Sequence, residues 1–232
     1  MPKLRIPVPS GVEQALDSAL DRALSIQRPV VTGYVDRIRR NKADATPAEV
    51  ITRLETAYRR SVIGIGAAAG GTAALPGVGT ATSIAAGGAE IAGFVSASAM
   101  YVLALAEVHG VPTSDPEVRR ALVLATVLGE GSMAAIESGG VREGKHWAQI
   151  IARTAAKDQD KVKGINAKLG TLMLTRFGAR QGALLAGRAL PFGVGAGIGA
   201  FGNAALAKGA IKAARRAFGP APEDWGPRVI DA

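Results

Sequence analysis

The 232-residue chain has no cysteine, 30 glycines, only 4% aromatic residues and a formal net charge of +9. The lack of cysteine excludes disulfides and thiolate metal sites. The length is sufficient for one hydrophobic core, and the first residues lack the continuous apolar run of a secretory signal.

The N-terminal part of the chain shows helical spacing of its apolar residues. The pattern after Ser10 predicts a first helix, Pro29 interrupts it, and a short second helix is predicted over 30–40. Thr46 and Glu49 have the spacing of a capping box. We therefore predict an N-terminal helical segment over 1–45 and a main helical domain over 46–218.

Residues 62–106 form an apolar segment of small side chains in which Glu90 is the only charged residue. Leu75-Pro76-Gly77 must interrupt a helix, because proline lacks the amide donor and disfavours helix in the residue before it. The segment therefore predicts two apolar helices, over about 60–74 and 80–108, joined by a tight turn.

The later elements follow from capping and helix-breaking residues. Asp115-Pro116-Glu117 begins a helix, Gly129 and Gly139-Gly140 end helical stretches, and a further helix is predicted over about 145–157. A helical pattern over 176–190 precedes a second Leu-Pro break at Leu190-Pro191.

The second break resembles the first, and two copies of one helical hairpin would explain both. Chance similarity between Gly/Ala-rich stretches is the alternative. Since no segment alternates like a β-strand, we predict an all-α, single-domain helical bundle with two Gly/Ala-rich apolar hairpins broken at Leu-Pro turns. The tail, 219–232, is predicted to be extended and exposed.

Whether the apolar hairpins enter a bilayer is left open by their composition. A spanning helix needs about 20 mostly apolar residues, but the stretch 84–106 contains Glu90, and the stretch 182–206 contains Arg188 and Pro191. We favour hairpins buried in a soluble helical core, and membrane-inserted hairpins are the alternative.

Positive charge is concentrated near the C-terminus, where 161–222 hold ten basic residues and no acidic one. A last helix is predicted over 203–218, where four basic residues with the spacing i, i+4, i+7 and i+8 form one stripe: Lys208, Lys212, Arg215 and Arg216. Two earlier arginines, Arg176 and Arg180, complete the six candidate membrane- or anion-binding residues. Such a helix suits an anionic membrane surface or a partner groove; a solvated back of a core helix is the simpler alternative. Nucleic acid is disfavoured, because no recognition motif is present and aromatic residues do not interleave with the basic ones.

No arrangement of residues predicts catalysis, a metal site or a cofactor. The two histidines, His109 and His146, lie on different predicted helices without a carboxylate at a ligand-like offset. Glu90 is the candidate buried functional acid, because a carboxylate in an Ala/Gly helix must pair with a cation, accept hydrogen bonds or hold a proton. We expect a structural ion pair with Arg180 or Arg188, or bonds from hydroxyl groups such as those of Thr72 and Ser96.

Four features in order along the chain resemble the EcsC family of bacterial proteins, named after a component encoded beside an ABC transporter: Ala74-Leu75-Pro76-Gly77, Glu90, Ala106–Gly110 and Leu190–Asn203. The resemblance covers about 50–218, and it departs from the family in having Glu at position 90, where Asp is commoner. It implies an α-helical, membrane- or transport-associated protein and supplies no catalytic residue.

The hypothesis is a non-enzymatic protein at the inner face of the cell membrane, on the cytoplasmic side. Its expected partners are an anionic membrane surface, a lipid or other hydrophobic ligand between the two hairpins, or a membrane transporter component. The alternative is an adaptor or scaffold that binds a protein through the basic C-terminal helix. A hydrolase using acids such as Glu90 is the weakest hypothesis, because no base and nucleophile accompany them.

Overall fold

The described part of the chain is entirely helical and irregular structure, without a strand. The structure, a computed structural model, describes residues 10–40, 44–73, 80–140, 146–187 and 194–225, and their side chains except for 10–13, 15, 70–73, 80–87, 177–187 and 194–201. The helices are α1 (Ser10–Leu24), α2 (Arg28–Arg40), α3 (Pro47–Ala73), α4 (Thr80–Val108), α5 (Pro116–Leu128), α6 (Met133–Glu137), α7 (Trp147–Lys157), α8 (Gln159–Gly187) and α9 (Val194–Phe218), with a 3-10 turn at Gly129–Ser132 between α5 and α6.

Helix α5 lies at the centre of the bundle and contacts α4, α7, α8 and α9. Asp115 caps it by accepting from the amides of Glu117 and Val118, as its sequence predicts. Its apolar stripe is buried, and so are the residues between, including Leu124 and Thr126. Every residue from Ala121 to Leu128 is buried, and apart from Thr126 this stretch is apolar on all sides, as a fully enclosed helix requires.

Helix α3 lies between α4 and α9 and packs along both. The Thr46–Glu49 capping box at its start is confirmed, with reciprocal bonds of 3.1 and 3.3 Å. The α3–α4 hairpin is also confirmed, although the Leu75–Pro76 break lies outside the described residues. Antiparallel α9 is joined to α3 at two places: Arg215 contacts Glu55, and Asn203 donates to the carbonyl oxygen of Val62.

Helices α1 and α2 belong to the same core, packed mainly on α4. Leu16, Ala19, Leu20 and Ala23 are buried, which confirms the predicted inner face of α1. Arg119 of α5 fixes the junction after α1 by donating to the carbonyl oxygens of Thr113, Leu24 and Ile26 at 2.7, 2.7 and 3.0 Å.

The last two long helices begin earlier than their sequences indicate. Helix α8 starts at Gln159 rather than near 176, because a stripe of Val162, Ile165, Leu169 and Met173 packs into the core despite the intervening glycines. Helix α9 starts at Val194 rather than 203. In their described parts, α8 packs chiefly on α5 and α9 packs chiefly on α3, rather than on each other as in the predicted second hairpin. The Leu190–Pro191 break lies outside the described residues.

The C-terminal tail is described as far as Trp225, and this part is not free of the bundle. The indole of Trp225 donates to the carbonyl oxygen of Ala45 at 3.0 Å, and the guanidinium of Arg39 lies 4.3 Å from the centre of its ring. The prediction of an exposed tail is therefore wrong for Trp225, because an aromatic ring with one polar atom gains both burial and a hydrogen bond at this place.

Among the described residues, one helical segment, Gly88–Val108, is long and apolar enough to cross a membrane. It forms most of α4, and 67% of its most apolar window is buried inside the protein, as is common for a core helix. Gly93 shows how small residues serve this packing, because a β-carbon there would lie 3.3 Å from the side chain of Ile65 on α3.

Candidate functional site

The predicted basic stripe is present on α9, but three of its four residues already contact carboxylates. All four side chains are exposed. Lys212 and Arg216 share one oxygen of Glu130, at 2.7 and 3.2 Å, whereas Arg215 is bound to Glu55 on α3. The bond from Lys212, and then the charges of Lys212 and Arg216, lower the pKa of the exposed Glu130 carboxyl. Within the described structure, Lys208 takes part in no ion pair.

The remaining candidates lie away from the stripe. Arg176 donates to the carbonyl oxygen of Leu128 and so closes the C-terminal end of α5. The side chain of Arg180, all of Arg188 and the side chain of Thr72 lie outside the described residues. Glu90 is half-buried on α4, less enclosed than the sequence predicted, and its pairing with any of these groups stays a prediction.

A cleft of about 890 Å³ opens beside the C-terminal end of α9. We call it the α3–α9 cleft. Its lining comes from α3, the start of α6, the start of α7, the end of α9 and the tail: Ala48, Ile51, Thr52, Glu55, Met133, His146, Trp147, Arg215, Arg216, Gly219, Pro220 and Ala221. Six of these twelve residues have apolar side chains, and the others supply two guanidinium groups, one carboxylate, one imidazole, one hydroxyl and a glycine. The volume lies within the range of small-molecule sites, although the lining is more polar than is usual for them.

Glu55 is a nearly buried carboxylate on the cleft wall and is held by a two-point bond. It is 9% exposed, and Nε and Nη2 of Arg215 approach its two oxygens at 2.7 and 2.6 Å. Such forked pairs are among the stronger charged hydrogen bonds. The bond from Glu55 raises the pKa of Arg215, so this guanidinium is fixed in place as a cation.

Two stacked tyrosines lie behind Glu55. The rings of Tyr58 and Tyr101 are 4.5 Å apart and nearly parallel. Ser98 donates its single hydroxyl hydrogen to the carbonyl oxygen of Phe94, so Tyr58 must be the donor in its 2.9 Å bond with Ser98. Burial raises the pKa of Tyr58 to about 12. Burial, and then the charge of Glu55, raise the pKa of Tyr101; its hydroxyl bonds to no group in the described part of the chain.

His146 forms another wall of the cleft and is fixed by the end of α9. Its Nδ1 lies 3.0 Å from the carbonyl oxygen of Phe218, and its amide donates to that of Arg216. Because a carbonyl only accepts, Nδ1 carries the hydrogen and the neutral ring keeps Nε2 as an acceptor. Gly219 makes this fit possible: its φ is 83°, and a β-carbon there would fall 1.7 Å from the imidazole.

The second histidine, His109, lies near the first and also contacts Phe218. His109 follows α4, and its ring stacks on Phe218 at 5.3 Å. Burial, and then the nearby imidazole of His146, lower the pKa of His109 to about 4. The sequence placed these histidines on separate helices, and only the fold brings the ends of α4 and α9 and the start of α7 together.

The titratable groups of the cleft are engaged in contacts within the protein. Within the described ranges, no group of three or more histidine or acidic side chains could hold a metal ion. His146 is fixed by a backbone carbonyl, and Glu55 is committed to Arg215. Sequence reasoning missed Glu55 as a site residue because it is one of many charged residues on α3, and its partner lies 160 positions away.

These features define an all-α helical bundle with a surface cleft between the Glu55–Arg215 ion pair and a histidine, beside a basic helix. Compared with family models, curated proteins and solved structures, the chain shows no match.

Proposed function

We propose that this chain is a non-enzymatic, EcsC-like helical protein that associates peripherally with an anionic membrane at the cytoplasmic face. The observation that supports this most is an exposed set of cations on two neighbouring helices. Arg59 and Arg60 of α3 and Lys208 and Lys212 of α9 are all exposed. We call these four residues the basic face.

The packing of α3 against α9 supports grouping these residues. The bonds Glu55–Arg215 and Asn203–Val62 fix the two helices antiparallel. Arg59 and Arg60 lie between Glu55 and Val62 on α3, while Lys208 and Lys212 lie between Asn203 and Arg215 on α9. The two pairs of cations therefore occupy the same stretch of the helix pair.

The charges of the basic face are available to a membrane. Its one ion pair in the described structure joins Lys212 to Glu130, both about 60% exposed, and exposed pairs contribute little. Each basic residue near an anionic membrane surface contributes about 1 kcal/mol of attraction, within about 10 Å at ordinary salt. Four such residues suffice for salt-sensitive, reversible binding.

Vesicle flotation tests this proposal. Protein should float with vesicles containing anionic lipid, not with neutral ones, and 1 M salt should release it, since the Debye length then falls to about 3 Å. The triple variant Arg59→Gln/Lys208→Gln/Lys212→Gln should lose binding. Arg215, which is outside the basic face, is left unchanged in this variant because it holds the nearly buried Glu55.

The matched control removes the same charge elsewhere. Lys157, Lys161 and Lys163, near the junction of α7 and α8, are also exposed, and their triple glutamine variant should float like the parent. Equal loss in both variants would mean that only net charge matters, and the basic face would be rejected. Salt-independent flotation with neutral vesicles would reject peripheral electrostatic binding altogether.

An adaptor function is the second candidate, and the α3–α9 cleft favours it. The cleft is open to solvent and flanked by Arg215 and Arg216 of the basic helix, so a protein partner, including a transporter component, could dock there. If substitutions in the cleft release the protein from cell membranes, which contain protein partners, but leave its binding to pure lipid vesicles unchanged, the adaptor function is favoured.

A further inference from the structure

We propose that the α3–α9 cleft is a binding site for a single-chain amphipathic anion: one carboxylate or phosphate head group attached to an apolar chain. This goes beyond vesicle binding, because it assigns a discrete site to a part of the molecule outside the basic face. It also differs from a ligand held between the two hairpins.

The apolar side of the cleft would receive the chain. Ile51, Met133, Trp147, Pro220 and Ala221 line it together. Ile51 and Met133 are partly buried against the core, so covering their remaining exposed surface with a ligand would remove apolar area from water, at about 25 cal/mol per Å². The volume of about 890 Å³ is in the range that accommodates small organic ligands.

The charges of the cleft select an anionic head group. Arg215, Arg216 and Glu55 are its charged lining residues in the described structure, which leaves a balance of one positive charge. The side chains of Arg215 and Arg216 are 68% and 55% exposed. Arg215 uses Nε and Nη2 for Glu55, and Arg216 uses Nη1 for Glu130, so each guanidinium keeps N–H donors that can bind an anion.

The site is also held rigidly on the charged side. The forked bond to Glu55 fixes Arg215, while His146 and Gly219 lock the end of α9 from which Arg216 projects. A pre-organised site loses less entropy when it binds a ligand. His146, another lining residue, adds an acceptor at Nε2, which would suit a head group that carries an O–H.

Calorimetric titration of the full chain, without vesicles, tests the proposal. The probes are dodecanoate, dodecyl phosphate and neutral dodecanol, each below its aggregation concentration. We expect one-to-one binding of at least one anion, and binding of dodecanol at least about ten-fold weaker, which equals about 1.4 kcal/mol. The tighter anion identifies whether the head group is a carboxylate or a phosphate. No binding of either, or equal affinity for all three, would overturn the proposal.

Two matched pairs of variants locate the binding. Arg216→Gln should weaken anion binding about ten-fold, while Lys208→Gln, which removes the same charge two turns earlier on α9, should leave it within about two-fold. Ile51→Glu should abolish binding, and Ile150→Glu, on an exposed position of α7 outside the cleft, should not. Equal effects within either pair would reject the site.

Failure of this proposal is distinguishable from failure of the membrane proposal. The triple variant of the basic face leaves the cleft lining unchanged, so it should still bind the amphiphile after it has lost vesicle binding. Arg216→Gln should show the reverse pattern. If each variant lost both activities in parallel, the cleft would not be a separate site.

Discussion

Glu55 is a nearly buried carboxylate, and its charge partner in the described structure is the largely exposed Arg215. The difference in exposure between the two side chains leads to a prediction at the scale of one residue. Removing the arginine leaves a buried charge unpaired, which in fully buried pairs costs about 3–5 kcal/mol. Since the side chain of Arg215 is 68% exposed, solvent will replace part of the lost interaction.

We therefore expect Arg215→Met to lower the free energy of unfolding by about 1–3 kcal/mol. Its neighbour Arg216 is the control, because it pairs with Glu130, which is 60% exposed, and Arg216→Met should change stability by no more than about 0.5 kcal/mol. Urea unfolding of both variants measures the difference. Equal midpoints would show that the Glu55–Arg215 pair does not stabilise the fold.

His109 predicts how stability depends on acidity. Its pKa falls from 6.5 to about 4 in the folded protein, so between these values the unfolded chain binds more protons than the folded one. Stability should therefore fall as the pH drops from about 6.5 to about 4, by about 1–3 kcal/mol after allowance for partial exposure of the ring.

The measurement is chemical unfolding at about pH 7 and about pH 4, in the parent and in His109→Gln. Carboxylates contribute to acid destabilisation in both proteins, so the informative quantity is the difference between them. The variant should lose less stability on acidification. If both proteins lose the same amount of stability, protonation of His109 does not contribute to acid destabilisation.

Residue-level features were the least predictable from the sequence. The capping residues Thr46 and Asp115 could be identified, because a cap acts on the amides of the next few residues. The contacts Glu55–Arg215 and His146–Phe218 could not, because each joins residues far apart in the chain and depends on how the helices pack.

At the scale of helices, the glycines of the apolar hairpin lie in two different surroundings. At Gly93 a β-carbon would lie 3.3 Å from Ile65, whereas at Gly64 a β-carbon would meet nothing within 4 Å. Gly93→Leu should overpack the α3–α4 contact and destabilise by about 1–3 kcal/mol. Gly64→Leu, on an exposed position of α3, should be neutral or stabilise by up to about 1 kcal/mol through helix propensity.

Thermal melts or urea unfolding of the two variants compare the positions directly. The sequence alone gives no reason to expect different effects at the two glycines, whereas the structure shows that their surroundings differ. If Gly64→Leu proved as damaging as Gly93→Leu, close approach of α3 and α4 would not explain these glycines.

Most helices could be predicted from periodicity, prolines and caps, and the exceptions have a physical reason. The start of α8 was missed because Gly164 and Gly170 interrupt its pattern, although both are tolerated within the helix. The docking of Trp225 was missed because an isolated aromatic in a Pro-rich tail gives no periodic signal, and its partner is a backbone carbonyl.

For the whole molecule, the arrangement of α4 bears on the two environments that the composition left open, a soluble core and a bilayer. Its segment Gly88–Val108 has the length and apolarity of a membrane span, yet much of it is buried against α1, α3 and α5. Our account treats α4 as a core helix and assigns membrane contact to the basic face.

Hydrogen exchange of the protein with and without anionic vesicles tests this central claim most directly. Buried helices exchange only through opening of the fold, so the amides of Gly88–Val108 should be strongly protected without lipid and should not change when vesicles are added. Slower exchange on vesicle binding should be confined to α9 and the stretch of α3 beside it, and salt should reverse it. Rapid exchange of α4 without lipid, followed by protection on vesicle binding, would contradict the account, because α4 would then be a membrane-seeking helix rather than the core.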